Sequence, residues 1–290
     1  LSIMLLPLNG CGKAELKDNL DTQAKETALY ITEKVESPNI SSVGGEWAVK
    51  GVAESGAEID EDYFEVYFDN VRAQVKATSG QIHENYYSDY ARVVIGLSSI
   101  GKDSRNVEGY DLTAGLDKYE EITRQGANAV AYTLVAANTA DIELIHENDY
   151  VNFLLSEINL LISEAKAEDV DYISMAILGL SFYQDRTEIN KTVQKAVETL
   201  SLIQQENGTM GNCESTAEAI IALSQLGVDV FTDNRFVKED NNLGNSLMEY
   251  YVGNGGFSHS AGDKEDLMAT EKALLAIDSM RKLENGERLY

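Results

Sequence analysis

Six stretches of the chain are apolar on nearly every side and rich in Ala, Ile, Leu, Val and Gly: residues 44–56, 85–101, 126–140, 170–184, 212–227 and 267–283. A helix apolar all round is a buried helix. The six stretches also align. Tyr90-Ala91-Arg92-Val93-Val94-Ile95-Gly96-Leu97-Ser98 matches Thr216-Ala217-Glu218-Ala219-Ile220-Ile221-Ala222-Leu223-Ser224. Anchoring each stretch on a small residue near its middle gives Gly51, Gly96, Ala136, Gly179, Ala222 and Ala276, at intervals of 45, 40, 43, 43 and 54 residues. A small residue at one helical position is what close packing of helices needs, and such a period is the mark of a repeat architecture. Ser55-Gly56, Ile100-Gly101 and Leu226-Gly227 supply the expected helix stops.

Amphipathic segments fill the intervals. Ile189, Val193, Ala196, Val197, Leu200 and Ile203 recur at helical spacing, with Glu188, Lys191, Lys195 and Glu198 on the opposite face. Tyr63, Phe64, Tyr67, Phe68, Val71 and Val75 repeat the pattern, as do Val151, Leu154, Leu155, Ile158 and Ile162. Weaker versions run over 22–35, 112–122 and 241–252. These read as helices with one buried face. The order is therefore outer helix, inner helix, six times. Closure into a ring buries the inner set on both sides, so the expectation is an all-α chain forming an α/α toroid of six inner and six outer helices, rather than an open solenoid. Only two prolines and 22 glycines among 290 residues suit long helices joined by glycine turns.

Charge narrows the partners. With 49 acidic against 23 basic residues the net charge is -26, which repels phosphate backbones and anionic lipid heads. No nucleic-acid partner is expected. No stretch outside the first residues has the length of apolar sequence a membrane span needs. Residues 1–8 are mostly apolar and lead into Leu8-Asn9-Gly10-Cys11, which resembles the end of a bacterial lipoprotein signal with Cys11 as the lipidated residue. Residues 1–22 are then a signal remnant, lipobox and polar tether, residues 23–290 the toroid, and the membrane is met only through a lipid anchor. The expected location is the extracellular face of a bacterial cell membrane, or secretion. The one remaining cysteine, Cys213, has no intramolecular partner for a disulfide.

The repeats carry a family resemblance. Asn212 to Gly227, Gly255-Gly256-Phe257-Ser258-His259 and Met268-Ala269-Thr270-Glu271-Lys272-Ala273-Leu274-Leu275-Ala276 resemble the inner-helix repeat of the squalene-cyclase and protein-prenyltransferase superfamily, most of all the prenyltransferase-like domains of bacterial cell-surface proteins. The likeness spans 23–285. The cyclases' loop motif, a leucine followed by Gln-x-x-x-Gly-x-Trp, is met by Leu200, Gln204, Gly208 and Met210, by Leu247, Tyr251, Gly255 and Phe257, and faintly by Lys76, Gly80 and Ile82. In the family this motif ties an outer helix to the next inner one, so it speaks for fold and not for chemistry.

The resemblance implies two chemistries, and the residues meet each in part. Class II terpene cyclases use an Asp-x-Asp-Asp acid at an inner-helix start; here Asp169-Val170-Asp171-Tyr172 ends on Tyr172, leaving Asp171, with Asp169, as the alternative catalytic pair. A helix cap is the plainer expectation for either aspartate. Protein prenyltransferases bind zinc through Asp-x-Cys and a later His; Cys213 fits, but Gly211 and Ala269 stand at the other two positions, so no metal and no cofactor are expected. His83, His146 and His259 show no nucleophile spacing, and the loop aspartates lack the EF-hand pattern. In a toroid the inner N-termini gather at one mouth, where unpaired N–H groups favour hydrogen-bonding or anionic ligands. Trp47, Tyr90, Arg92, Tyr132, Tyr172, Ser215, Thr216, Thr270 and Lys272 line that mouth, with His259 on its rim. The function expected is a non-catalytic binding or adhesion domain for a small-molecule, glycan or peptide ligand, with a terpene-cyclase-like or prenyltransferase-like enzyme as the alternative. A cobalamin-carrier type of the same ring serves capture with a β domain behind it, so further domains beyond Tyr290 fit the expectation.

Overall fold

The computed structural model describes residues 16–290, and they are predominantly helical. The signal-like stretch and Cys11 lie outside the described residues. Twelve α-helices follow in chain order: α1 Leu20–Lys34, α2 Glu46–Glu54, α3 Glu61–Ala77, α4 Ser88–Ser99, α5 Tyr119–Arg124, α6 Ala127–Thr139, α7 Glu147–Leu161, α8 Val170–Leu180, α9 Thr187–Ile203, α10 Cys213–Gln225, α11 Leu243–Ser246 and α12 Leu267–Glu284. Two short antiparallel hairpins, β1 (Val237–Lys238) with β2 (Asn241–Asn242) and β3 (Tyr251–Gly253) with β4 (Gly256–Phe257), lie between α10 and α12.

Local chemistry sets the helix ends. Asp60, Asn212 and Asp266 accept N–H bonds from Asp62, Ser215 and Ala269 at 3.1, 2.8 and 2.9 Å, capping α3, α10 and α12. Gly56, Gly101 and Gly227 stand in left-handed conformation just past α2, α4 and α10, as their positions in the repeat predict.

The even-numbered long helices bury residues on all sides; in α10 all but Glu214 and Gln225 are buried. They pack in sequence: α2 on α4, α4 on α6, α6 on α8, α8 on α10, α10 on α12, and α12 back on α2. The amphipathic helices lie against this set on one face. α3 buries Tyr63, Tyr67, Val71 and Val75, α7 buries Tyr150, Val151, Leu154 and Ile158, and α9 buries Ile189, Val193, Ala196, Val197 and Leu200. Exposed charge covers their other sides.

The anchor residues stand where helices come closest. A Cβ on Gly179 would lie 2.9 Å from the Ala131 Cα, backbone of α6, and 2.9 Å from Leu154 Cδ2; on Gly51 it would meet only the Leu274 side chain, at 2.9 Å from Cδ2 and 3.0 Å from Cγ. Backbone cannot step aside, whereas a leucine tip can. Gly179→Ala is therefore expected to cost about 2–3 kcal/mol and Gly51→Ala about 1 kcal/mol, read from urea unfolding midpoints. Equal costs at the two positions would show that backbone contact is not what demands glycine.

Three expectations from the sequence are modified. The amphipathic stretch 112–122 is not one helix: Leu112–Asp117 forms a 3-10 segment before α5, with Gly115 pressed beneath the Tyr90 ring, where an added Cβ would come within 2.4 Å of it. The stretch 241–252 likewise breaks into a strand, the single turn α11, a 3-10 turn and a second strand. Residues 16–22, expected within the tether, are folded. Leu16 and Leu20 are buried, the Leu16 N–H donates to Asn245 Oδ1 at 3.0 Å, and Lys17 pairs with Asp229 at 3.3 Å.

Candidate functional site

On a helix, a residue four places before another lies on the same face, one turn nearer the N-terminus. Counting four back from the six anchors gives Trp47, Arg92, Tyr132, Met175, Glu218 and Lys272. The structure gathers these six side chains, one from each all-round-buried helix. Five line a single cavity of about 170 Å³, together with Ser42, Ser88, Asn128 and Ala129. The sixth, Glu218, is bonded to two of the five. The Lys272 ammonium lies 2.5 Å from Glu218 Oε1, and the Tyr132 hydroxyl donates to the same carboxylate at 3.2 and 3.3 Å. Lys272 Nζ also sits 4.6 Å from the Trp47 ring centre and 5.6 Å from that of Tyr132, whose rings are 5.0 Å apart and tilted by 45°. The aromatic quadrupoles and the carboxylate together hold the cation.

This is a polar cluster where the surrounding chain is apolar. The Glu218 and Lys272 side chains are only 3% and 12% exposed. Burial alone would lower the Lys272 amine, but the Glu218 carboxylate overrides it and holds the amine above its ordinary value. Burial, and then the Glu218 charge, pushes the Tyr132 phenol well above its usual range. Lys272 therefore keeps its charge at neutral pH, and Tyr132 keeps its proton as a donor to Glu218.

A second network adjoins it. Arg92 Nε donates to Glu46 Oε2 at 3.2 Å and its Nη1 to Asp89 at 2.8 Å, while the Tyr67 hydroxyl donates to Glu46 Oε1 at 3.3 Å. Glu46 has no exposed surface, and burial pushes its carboxyl up to about 7 against the pull of Arg92. Glu271, 1% exposed, is pushed up to about 8 by burial; one oxygen accepts the Gly44 N–H at 2.7 Å and the other has no partner.

Of the candidates read from the sequence, Trp47, Arg92 and Tyr132 line this one cavity, and five others stand elsewhere. Tyr90, Thr216 and Thr270 serve the loop motif. Their hydroxyls accept backbone N–H bonds from Ile82, Met210 and Phe257 at 3.2, 3.0 and 3.0 Å. Those three donors occupy the Trp position of the three motif copies, and each acceptor sits six residues before its anchor. Tyr172 is 50% exposed and does not line the cavity. His259 bonds Glu214 through Nδ1 at 2.8 Å at the surface, while its carbonyl accepts the Cys213 N–H.

Neither aspartate of the cyclase-like stretch caps α8 with its side chain. Asp169 accepts the Lys166 N–H at 2.8 Å and closes the short 3-10 turn Ala167–Asp169 instead. Asp171 is half-buried; burial raises its carboxyl, opposed by a hydrogen bond with Ser215, and its Oδ1 is buried with no partner. Cys213 is wholly buried, its thiol pushed up by burial and directed at the Ala269 carbonyl, 3.6 Å away. Among the described residues no three His, Cys, Asp or Glu side chains converge as a metal site.

Glu218 and Met175 are the site residues that a first-turn reading misses. The repeat register contains them: both sit four places before an anchor. Lys272 belongs to the same layer and is its electrostatic centre.

Among the described residues no helix is long and apolar enough to cross a membrane. No family model matches the chain. A stretch of 142 residues, 48% of the chain, is 27% identical to a Drosophila melanogaster protein named "Uncharacterized protein CG3556", and the matched region spans 22% of that protein's length.

Proposed function

We propose that the chain is an α/α toroid of the squalene-cyclase and prenyltransferase type, held outside a bacterial cell by lipid on Cys11, and that it binds a ligand at the mouth where the inner helices begin. The cycle of contacts from α2 through α12 and back to α2 supports the toroid, as does the meeting of one residue from each inner helix. One observation carries the binding reading. The equivalent position of all six repeats is given to Trp, Arg, Tyr, Met, Glu and Lys around a cavity, where six aliphatic side chains would fill the same space at less cost in desolvation. A cavity of about 170 Å³ falls below the range of drug-sized sites but admits a group of one ring, such as a sugar or an aromatic. The Trp47–Tyr132 platform and the flanking Ser42, Ser88, Asn128 and Arg92 suit a ligand with one flat apolar face and a polar edge.

Native mass spectrometry of protein purified from its own cells tests this reading. The expected result is a bound species of a few hundred daltons at most, lost in Lys272→Met. Trp47 is the only tryptophan, so its emission should shift when that species is removed and re-added. Protein that carries nothing, and whose emission is unmoved by extracts of its native medium, would remove the proposal.

A second reading, a cyclase-like enzyme, is favoured by the bare, buried Oδ1 and raised carboxyl of Asp171. Asp171→Asn separates the two. Under the binding reading it changes ligand affinity by less than about threefold, roughly the cost of one peripheral contact. Under the enzymatic reading turnover of a polyprene substrate falls by orders of magnitude.

A further inference from the structure

Beyond α12 the chain turns back on the body of the protein. Gly286, in left-handed conformation with φ +76°, reverses its direction. Arg288 Nε then donates to the Gln225 carbonyl at 2.9 Å. Leu289 is buried, 4% exposed, and its carbonyl accepts from Lys50 Nζ at 2.9 Å. The Gln225 side-chain amide bonds both backbone groups of Tyr290: its Nε2 donates to the Tyr290 carbonyl at 2.8 Å and its Oε1 accepts the Tyr290 N–H at 3.4 Å. Lys50 Nζ also stands 5.1 Å from the Tyr290 ring centre. The Tyr290 ring packs partly buried against the core, and burial, then the Tyr132 phenol and the Glu218 carboxylate against the pull of Lys272, raises its phenol well above its ordinary value.

These contacts are the devices of peptide recognition. A carboxamide reads a backbone N–H and C=O together, a cation reads the preceding carbonyl, and a pocket takes the side chain. Lys50 is 1% exposed and its other partner is Glu54, at 2.6 Å. A buried lysine is expensive, and here it is aimed at a backbone carbonyl of the returning segment. None of these bonds depends on the segment's covalent link to α12.

We propose that the slot between α2 and α10, built from Lys50 and Gln225, is a binding site for a peptide presenting a leucine followed by an aromatic residue, and that Leu289 and Tyr290 occupy it in cis. The segment is an exchangeable occupant. A peptide of the same chemistry supplied in trans displaces it and seats its own ring beside Lys50, where the Tyr290 ring now lies. None of the slot's own residues lines the mouth cavity, though the Tyr290 phenol lies within electrostatic reach of Lys272 and Glu218 there.

The test uses the full chain with Leu289→Gly and Tyr290→Gly, which empties the slot. The probe is an end-blocked synthetic peptide of the sequence of residues 285–290, followed by calorimetry and Trp47 emission. Saturable one-to-one binding to the variant is expected, at least about tenfold tighter than to the unaltered chain, where the cis segment competes. Alanine in place of the peptide's tyrosine abolishes it, and adding Lys50→Met or Gln225→Ala weakens it about tenfold, the loss of one charge-assisted or paired hydrogen bond. No saturable binding to a folded variant, or equal binding of the alanine peptide, overturns the proposal. If circular dichroism shows the double variant unfolded, Tyr290→Ala alone takes its place with p-cresol as probe. A rise in its Tm by several degrees with p-cresol, absent in the unaltered chain, supports the slot, and no rise overturns it.

Discussion

Glu218→Ala is expected to destabilise the protein by about 3–5 kcal/mol, the range for removing one partner of a buried ion pair. The Glu218 side chain is 3% exposed and closes two bonds at once, from the Lys272 ammonium at 2.5 Å and from the Tyr132 hydroxyl. Its loss leaves a cation 12% exposed with only two aromatic faces to hold it. Those faces contribute about 1–2 kcal/mol, less than the desolvation of an ammonium group. The amine then titrates downward, the reverse of its present shift. Glu218→Gln keeps the shape and isolates the charge. The double variant Glu218→Leu with Lys272→Met should recover most of the loss, since a well-packed apolar pair often matches a buried ion pair. Urea unfolding of the four proteins measures the set. A single-variant cost below about 1 kcal/mol would mean that water screens the pair as it does at a surface, and the argument for a costly polar centre would fall. A double variant that is stable yet no longer shifts Trp47 emission with ligand would show what the charges are for.

Stability is expected to fall as pH rises from about 5 to about 8, contrary to the habit of most proteins. Burial pushes the carboxyls of Glu271 and Asp278 up to about 8 and that of Glu46 up to about 7. A group whose folded-state value is raised keeps its proton after the unfolded chain has released it. The native state therefore binds more protons between the ordinary carboxylate range and pH 8, and the free energy of unfolding declines with pH across that window. Each such group contributes at most about 1.4 kcal/mol per pH unit. Below about pH 4 the sign reverses, because carboxylates such as Asp233, held below its ordinary value by its hydrogen bond with Arg235, lose their stabilising charge. The net charge of -26 acts in the same direction as the buried acids, since it grows with pH. Asp278→Asn separates the two causes: it removes one buried titration, should flatten the slope of Tm against pH, and barely alters the surface charge. A Tm constant or rising between pH 5 and 8 would sink the prediction.

Much of the architecture is legible in the sequence because it rests on steric necessity. Gly51, Gly96 and Gly179 are small since a neighbour lies within about 3 Å of where a Cβ would stand, and such positions recur at the repeat interval. The same register also holds the candidate site, four residues toward each N-terminus. Trp47, Arg92 and Tyr132 are recognisable there as polar or aromatic residues in an apolar helix; Met175 is not, because methionine is ordinary core. Spacing reveals which face of a segment is buried but not whether its backbone is continuous, so the breaks at Leu112–Asp117 and at α11 escape it. The roles of Tyr90, Thr216 and Thr270 depend on how far each loop folds back, which sequence distance does not report. The returning segment at Leu289 and Tyr290 is two apolar residues in a polar stretch, too short for any periodicity to register.

The packing of α12 against both α1 and α2 has a kinetic consequence. Helices from opposite ends of the described chain must find each other before the apolar surface of α2 is covered, and contacts between such distant residues slow folding. During synthesis the early repeats emerge with that surface bare and wait for the last helix to be made, so this protein should depend on chaperones, or on delayed compaction, until its final repeat is complete.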